Sequence, residues 1–75
     1  MAKANNAQEL INLSIELDQL ATSAPESLAL EIRKEAFGYR TLYLDVMNKV
    51  AGAKKTLNGM DFNKILADRK AQVAN

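Results

Sequence analysis

The stretch FGYRTLYLDVMNKVAG, residues 37–52, restricts the possible folds more than any other part of this chain, because its apolar side chains point in two directions. If residues 25–51 form one helix, most of the apolar side chains fall within an arc of roughly 140°. A second apolar sector lies beyond Arg33 and Arg40. A helix that buries one face needs a stripe only a little over about 100° wide. The pattern therefore predicts at least two packing partners for this helix.

Helix-end signals divide the chain into three predicted helices, which together indicate a single all-α domain over residues 1–75. The predicted helices span about residues 6–22, 25–51 (or on to 57) and 61–73. The first should start at Asn5 or Asn6, since an asparagine oxygen accepts hydrogen bonds from the free amides of a first turn. The first connection is short. We therefore expect a helical hairpin with a long central helix, followed by a short third helix.

The predicted breaks carry recognisable capping residues. Ser23 begins an S-x-x-E capping box, and Pro25 suits the first turn of a helix because its missing N–H costs no hydrogen bond there. The dipeptide Asn58-Gly59 is the stronger stop signal, since both residue types tolerate left-handed backbone. After it, Asp61 is expected to cap the third helix.

The length of the central helix predicts that a second copy of the chain covers its remaining apolar side. Such a helix would be about 40 Å long, whereas a compact chain of this size is roughly 30 Å across. We therefore expect a symmetric homodimer, packed as a helical bundle. The alternative is a monomeric hairpin whose exposed leucines are ordinary surface residues. The expected interface residues are Leu30, Phe37, Tyr39, Leu42, Tyr43, Leu44, Val46 and Val50.

Charge is distributed unevenly along the chain, although the formal net charge is only +1. Residues 1–47 have four basic and seven acidic side chains, a charge of −3, and residues 48–75 have six basic and two acidic ones, a charge of +4. Solvated helix faces would explain this pattern, and so would a basic surface that meets an acidic partner or nucleic acid. The candidate partner-binding residues are Lys49, Lys54, Lys55, Lys64, Arg69 and Lys70.

The residue types argue against an enzyme. The chain has no cysteine and no histidine, which removes thiol nucleophiles, imidazole bases and the usual zinc ligands. Glu31 and Glu35 lie four residues apart and would face the same way, but two carboxylates without further ligands make a poor metal or acid–base site. No glycine-rich phosphate loop or dinucleotide motif occurs. We expect no catalytic residue, cofactor or metal.

The N-terminal residues and the hydropathy pattern indicate where such a chain would work. Residues 1–10 have no apolar stretch typical of a signal peptide. No apolar run approaches the roughly 20 residues that a membrane-spanning helix needs. We therefore expect a cytoplasmic protein without a membrane partner.

The remaining hypothesis is a small protein–protein interaction module that acts as a regulator, inhibitor or adaptor, as accessory proteins encoded by phages and bacteria do. A nucleic-acid-binding regulator that uses the basic half is the alternative. A helix-turn-helix over residues 47–69 is not supported, because Lys55 stands where a small side chain has to pack. The sequence does not identify the partner.

Overall fold

The computed structural model describes residues 6–74, and this part of the chain contains four α-helices and no strand. The helices are α1 (Asn6–Ala21), α2 (Glu26–Met47), α3 (Ala53–Asn58) and α4 (Phe62–Ala74). The predicted all-α fold is confirmed. The predicted start of the first helix at Asn5 or Asn6 stays a prediction, because Asn6 is the first described residue and Asn5 lies outside the described range. No described helix is long and apolar enough to cross a membrane.

The core lies between α1 and α2, which form the predicted hairpin. Leu13 and Leu17 of α1 are 3% and 0% exposed, and they pack in one cluster with Ile32 of α2. Ala29 and Ala36 stand one turn to either side of Ile32, and both are buried. Because alanine is small, these positions let the two helices approach closely while Ile32 fills the space between them.

The second helix is shorter than predicted, because α2 ends at Met47 and does not continue to residue 51 or 57. The sequence predicts a longer helix because apolar residues continue at helical spacing through residues 48–52, so the pattern does not indicate the break. Residues 48–52 form a turn, and α3 then buries Ala53 and Leu57, which are 6% and 3% exposed. The break therefore lets a short helix fold back onto the hairpin, with contacts to both α1 and α2.

Backbone hydrogen bonds explain how α2 ends. The amide of Val50 donates to the carbonyl of Asp45 at 2.9 Å, and the amide of Lys49 donates to that of Val46 at 3.1 Å. These two bonds make a Schellman motif, which satisfies the last carbonyls of a helix. Lys49 adopts the left-handed φ of 58° that the motif requires and that glycine usually supplies. A lysine at this position gave no sequence signal for the break.

The other helix ends partly match their predictions. The capping box at Ser23 is wrong: no side chain caps α2, and the carbonyl of Pro25 accepts a hydrogen bond from the amide of Ala29 at 2.8 Å. The stop at Asn58-Gly59 is correct, but Gly59 has a φ of −87°, so left-handed backbone is not its cause. Asp61 does cap α4, since its carboxylate accepts a hydrogen bond from the amide of Lys64 at 3.1 Å.

The last helix, α4, covers the hairpin without entering its core. None of the described side chains of Phe62–Ala74 is fully buried. Four partly buried apolar residues of α4 nevertheless pack against the core cluster, namely Phe62, Ile65, Leu66 and Val73. Its contacts are mainly with α1. A helix of this length is unstable alone in water, so this docking is what keeps it folded.

We predict that Leu17→Ala lowers the free energy of unfolding by about 2–5 kcal/mol, because it leaves a cavity where α1 meets α2. Ile15→Ala on the same helix is the matched control. Ile15 is 46% exposed, so its truncation should cost about 1 kcal/mol or less. Urea denaturation followed by circular dichroism measures both values. Equal losses would show that α1 buries a different face.

Two glycine substitutions test the turn after α2. Gly52 has a φ of 83°, so Gly52→Ala should lower the free energy of unfolding by about 1–2 kcal/mol. Gly38 lies within α2 and a Cβ there would contact nothing within 4 Å. Gly38→Ala should therefore raise stability by about 0.5–1 kcal/mol. If Gly52→Ala leaves the denaturation midpoint unchanged or raises it, the left-handed turn at Gly52 is wrong.

Candidate interaction surface on the outer face of the second helix

A row of large apolar side chains runs along the side of α2 that faces away from the core. Leu30, Phe37 and Leu44 are seven residues apart, so each lies two helical turns beyond the last on one face. They are 54%, 68% and 58% exposed, whereas Ile32 and Ala36 on the opposite side are 0% exposed. We call these three residues the outer row. It extends over roughly 21 Å.

Basic side chains flank the middle of the outer row. The neighbours of Phe37 at three and four residues are Arg33, Lys34, Arg40 and Thr41. These are the positions that lie beside a residue on a helix surface, and all four are exposed. The side chain of Thr41 donates a hydrogen bond to the carbonyl of Phe37 at 3.2 Å, and the other three neighbours are cations.

The cations before and after Phe37 differ in whether a carboxylate compensates their charge. Arg40 forms a salt bridge with Asp18 of α1. Within residues 6–74, neither Arg33 nor Lys34 forms one. The outer row therefore presents positive charge around its central aromatic ring, while α2 as a whole has four acidic and three basic residues.

The structure divides the predicted interface residues into two groups. Leu30, Phe37 and Leu44 form the outer row, and Val50 is 48% exposed in the turn beyond α2. The other four are half-buried in the protomer: Tyr39, Leu42, Tyr43 and Val46. These eight residues therefore do not form one surface on a straight helix, since α2 ends before Val50 and Tyr39 packs against the core cluster.

Tyr39 belongs to a polar network that ties α2 to α4. Its hydroxyl donates a hydrogen bond to Glu35 at 2.7 Å, and the Nε of Arg69 donates to the same carboxylate at 2.8 Å. The side chains of Arg69 and Glu35 are only 19% and 26% exposed. Arg69 interrupts the row of apolar residues on α4, and its partner Glu35 is 34 residues away in the sequence. Only the tertiary structure brings the three together.

The predicted basic surface is also divided. Arg69 is bound to Glu35, and Lys64 forms a salt bridge with Asp68 one turn along α4. Lys70 is exposed on the same helix. The remaining three lysines, Lys49, Lys54 and Lys55, lie together around an open cleft where α2 meets α3. Val46, Val50 and Gly52 complete the lining of this lysine cleft.

Comparisons with known proteins identify no relative. No model of a protein family matches the chain, and no curated protein or solved structure is significantly similar to it. The interpretation of the outer row and the lysine cleft therefore depends on their own geometry.

The pH dependence of stability should report on Tyr39. Burial, and then the hydrogen bond to Glu35, raises the pKa of Tyr39 above its ordinary value of 10.0. The folded protein holds this proton more tightly than the unfolded chain, so the corresponding stability is present below about pH 10 and is lost as the pH rises further. We expect the free energy of unfolding to fall more steeply above about pH 10 in the parent than in Tyr39→Phe. If the free energy of unfolding falls with pH equally steeply in the two proteins, the raised pKa of Tyr39 is contradicted.

Proposed function

We propose that this protein is a small non-enzymatic interaction module, which acts as a regulator, inhibitor or adaptor by docking the outer row on another protein. The observation that carries this proposal is the exposure of Leu30, Phe37 and Leu44 in line on one face of α2. A single exposed leucine is ordinary on a protein surface. Three large apolar side chains exposed in line on one face are more than scattered surface residues, and concentrations of exposed apolar surface mark interaction sites.

The free energy that burial of the exposed Phe37 side chain would contribute supports a binding role. Complete removal of a leucine or phenylalanine side chain from water contributes about 1.5–3 kcal/mol. Phe37 is 68% exposed, so most of that contribution is still to be gained at its position. Aromatic residues at the centre of a patch commonly supply a large share of binding energy. Phe37 is therefore the expected anchor of the interface.

Two polar groups that a catalytic site could have used, Ser14 and Glu35, hold structural contacts in the fold. Ser14 is completely buried, and its hydroxyl donates a hydrogen bond to the carbonyl of Ile11 at 2.8 Å. Glu35, which with Glu31 was the best candidate for acid–base chemistry, is bound by Tyr39 and Arg69. These contacts favour structural roles, and they support a protein that acts by binding.

A photo-crosslinking amino acid in place of Phe37 tests the proposed function in cells of the native host. Benzoylphenylalanine keeps an aromatic ring at position 37, so docking should survive and irradiation should produce a discrete protein adduct. The same amino acid at Ala67, an exposed position on α4, is the matched control. An adduct that is specific to position 37 supports the proposal. Equal or absent crosslinking at both positions would refute it.

Nucleic-acid binding by the lysine cleft is the second candidate function, because the fold brings Lys49, Lys54 and Lys55 together. Under this alternative, Lys54→Glu with Lys55→Glu should weaken binding to all DNA or RNA sequences and flatten its salt dependence, since fewer counterions are released. Under the proposed function, the parent shows no salt-sensitive binding to either nucleic acid in fluorescence anisotropy. Tight binding at physiological ionic strength would favour the alternative.

A further inference from the structure

The charges beside the centre of the outer row specify the chemistry of its partner; the exposed acidic Glu26 stands only at the end of the row, one turn before Leu30. Arg33 and Lys34 stand on opposite sides of the row, one turn before Phe37, and both are exposed. A partner that covers Phe37 also brings its own flanking groups against these two cations. We infer that the outer row docks an acidic amphipathic helix of another protein, with apolar residues facing the row and carboxylates facing Arg33 and Lys34. This inference rests on the proposed function.

The dimensions of the row favour a helix as the docked segment. The row is one residue wide, repeats every seventh residue and extends over roughly 21 Å. A partner helix of about 15–20 residues covers that length, and its own side chains recur with the same period. An extended strand would place side chains at a period of two and would meet the row at only some of its positions.

The same charges disfavour a second copy of this chain as the occupant. If two α2 helices met in parallel through their outer rows, Arg33 of one copy would lie beside Lys34 of the other. In an antiparallel pair centred on Phe37, Arg33 of one copy would lie beside Arg40 of the other. The parallel arrangement brings unpaired cations together, and the antiparallel one sets Arg33 beside an Arg40 that Asp18 already pairs, so neither gives Arg33 and Lys34 a free carboxylate partner. The expected homodimer therefore lacks the charge complementarity that an acidic partner supplies.

Lipid and nucleic acid fit this surface less well. A helix that lies on a membrane buries a broad apolar face, whereas the outer row has one large apolar residue for every two turns. The phosphates of a single-stranded nucleic acid would pair with Arg33 and Lys34, and a base would stack on Phe37, but Leu30 and Leu44 would be left without an apolar contact. The carboxylates of an acidic helix would pair with Arg33 and Lys34, and its apolar residues would cover the outer row.

Designed peptides test this inference without knowledge of the natural partner. Three stapled helices of about 18 residues would place leucine at every seventh position, with the flanking positions all glutamate, all glutamine or all lysine. We expect fluorescence anisotropy at low ionic strength to show binding about tenfold tighter for the glutamate peptide than for the glutamine peptide, and weakest for the lysine peptide. The difference in affinity between the glutamate and glutamine peptides should become smaller as added salt screens the charges.

Two variants make the test specific to the outer row. Arg33→Glu with Lys34→Glu should reverse the order of the peptides, so that the lysine peptide binds tightest. Phe37→Ala should weaken binding of the glutamate peptide about tenfold or more, while the charge preference remains. Both changes fall on exposed positions, and circular dichroism verifies that the variants stay helical.

Other results would overturn the inference. Equal binding of the three peptides would refute it, and so would tighter binding to vesicles of anionic phospholipid than to the glutamate peptide. A dimer of the parent in light scattering that Phe37→Glu dissociates would identify a second copy as the occupant. If no peptide binds while crosslinking at position 37 still captures a protein, the inference fails and the proposed function stands.

Discussion

The contact between α1 and α2 is the interaction on which the rest of this structure depends. Leu13 and Leu17 meet Ile32 at the centre of the core, and small residues on either side of Ile32 let the helix backbones approach. A chain of 75 residues buries a smaller fraction of its surface than a larger domain does. Most of the fully buried residues therefore belong to the hairpin, and α3 and α4 pack on its surface.

The third and fourth helices pack on the hairpin in different ways. The turn after α2 places Leu57 against the hairpin, where it is 3% exposed. Beyond it, α4 contributes no fully buried side chain and relies on partial apolar cover, the cap at Asp61 and the ion pair of Arg69 with Glu35. This part of the fold is attached by several modest interactions, since partly exposed ion pairs contribute little individually.

Because α3 and α4 pack on the same side as the core, α2 is covered on one side only. The small helices pack on the side of the core, and the outer row stays in water with its basic neighbours. The proposed function and the inferred acidic partner both follow from that arrangement. In this account the lysine cleft and the outer row are separate features, because the cleft is built around the turn at residues 48–52, beyond the last residue of the row at Leu44.

Local and periodic signals in the sequence by themselves determined the helical class, the hairpin, the cap at Asp61 and the stop after Asn58. The second apolar sector of α2 was also readable from the sequence, because helical period alone places Leu30, Phe37 and Leu44 together. What covers this sector, including the expected homodimer, stays a prediction.

The tertiary structure alone decided where α2 ends and which charges pair. The break at Met47 uses a lysine in left-handed backbone, and Arg69 meets Glu35 across 34 residues. Neither has a local signal, since both depend on free energy gained when distant helices pack.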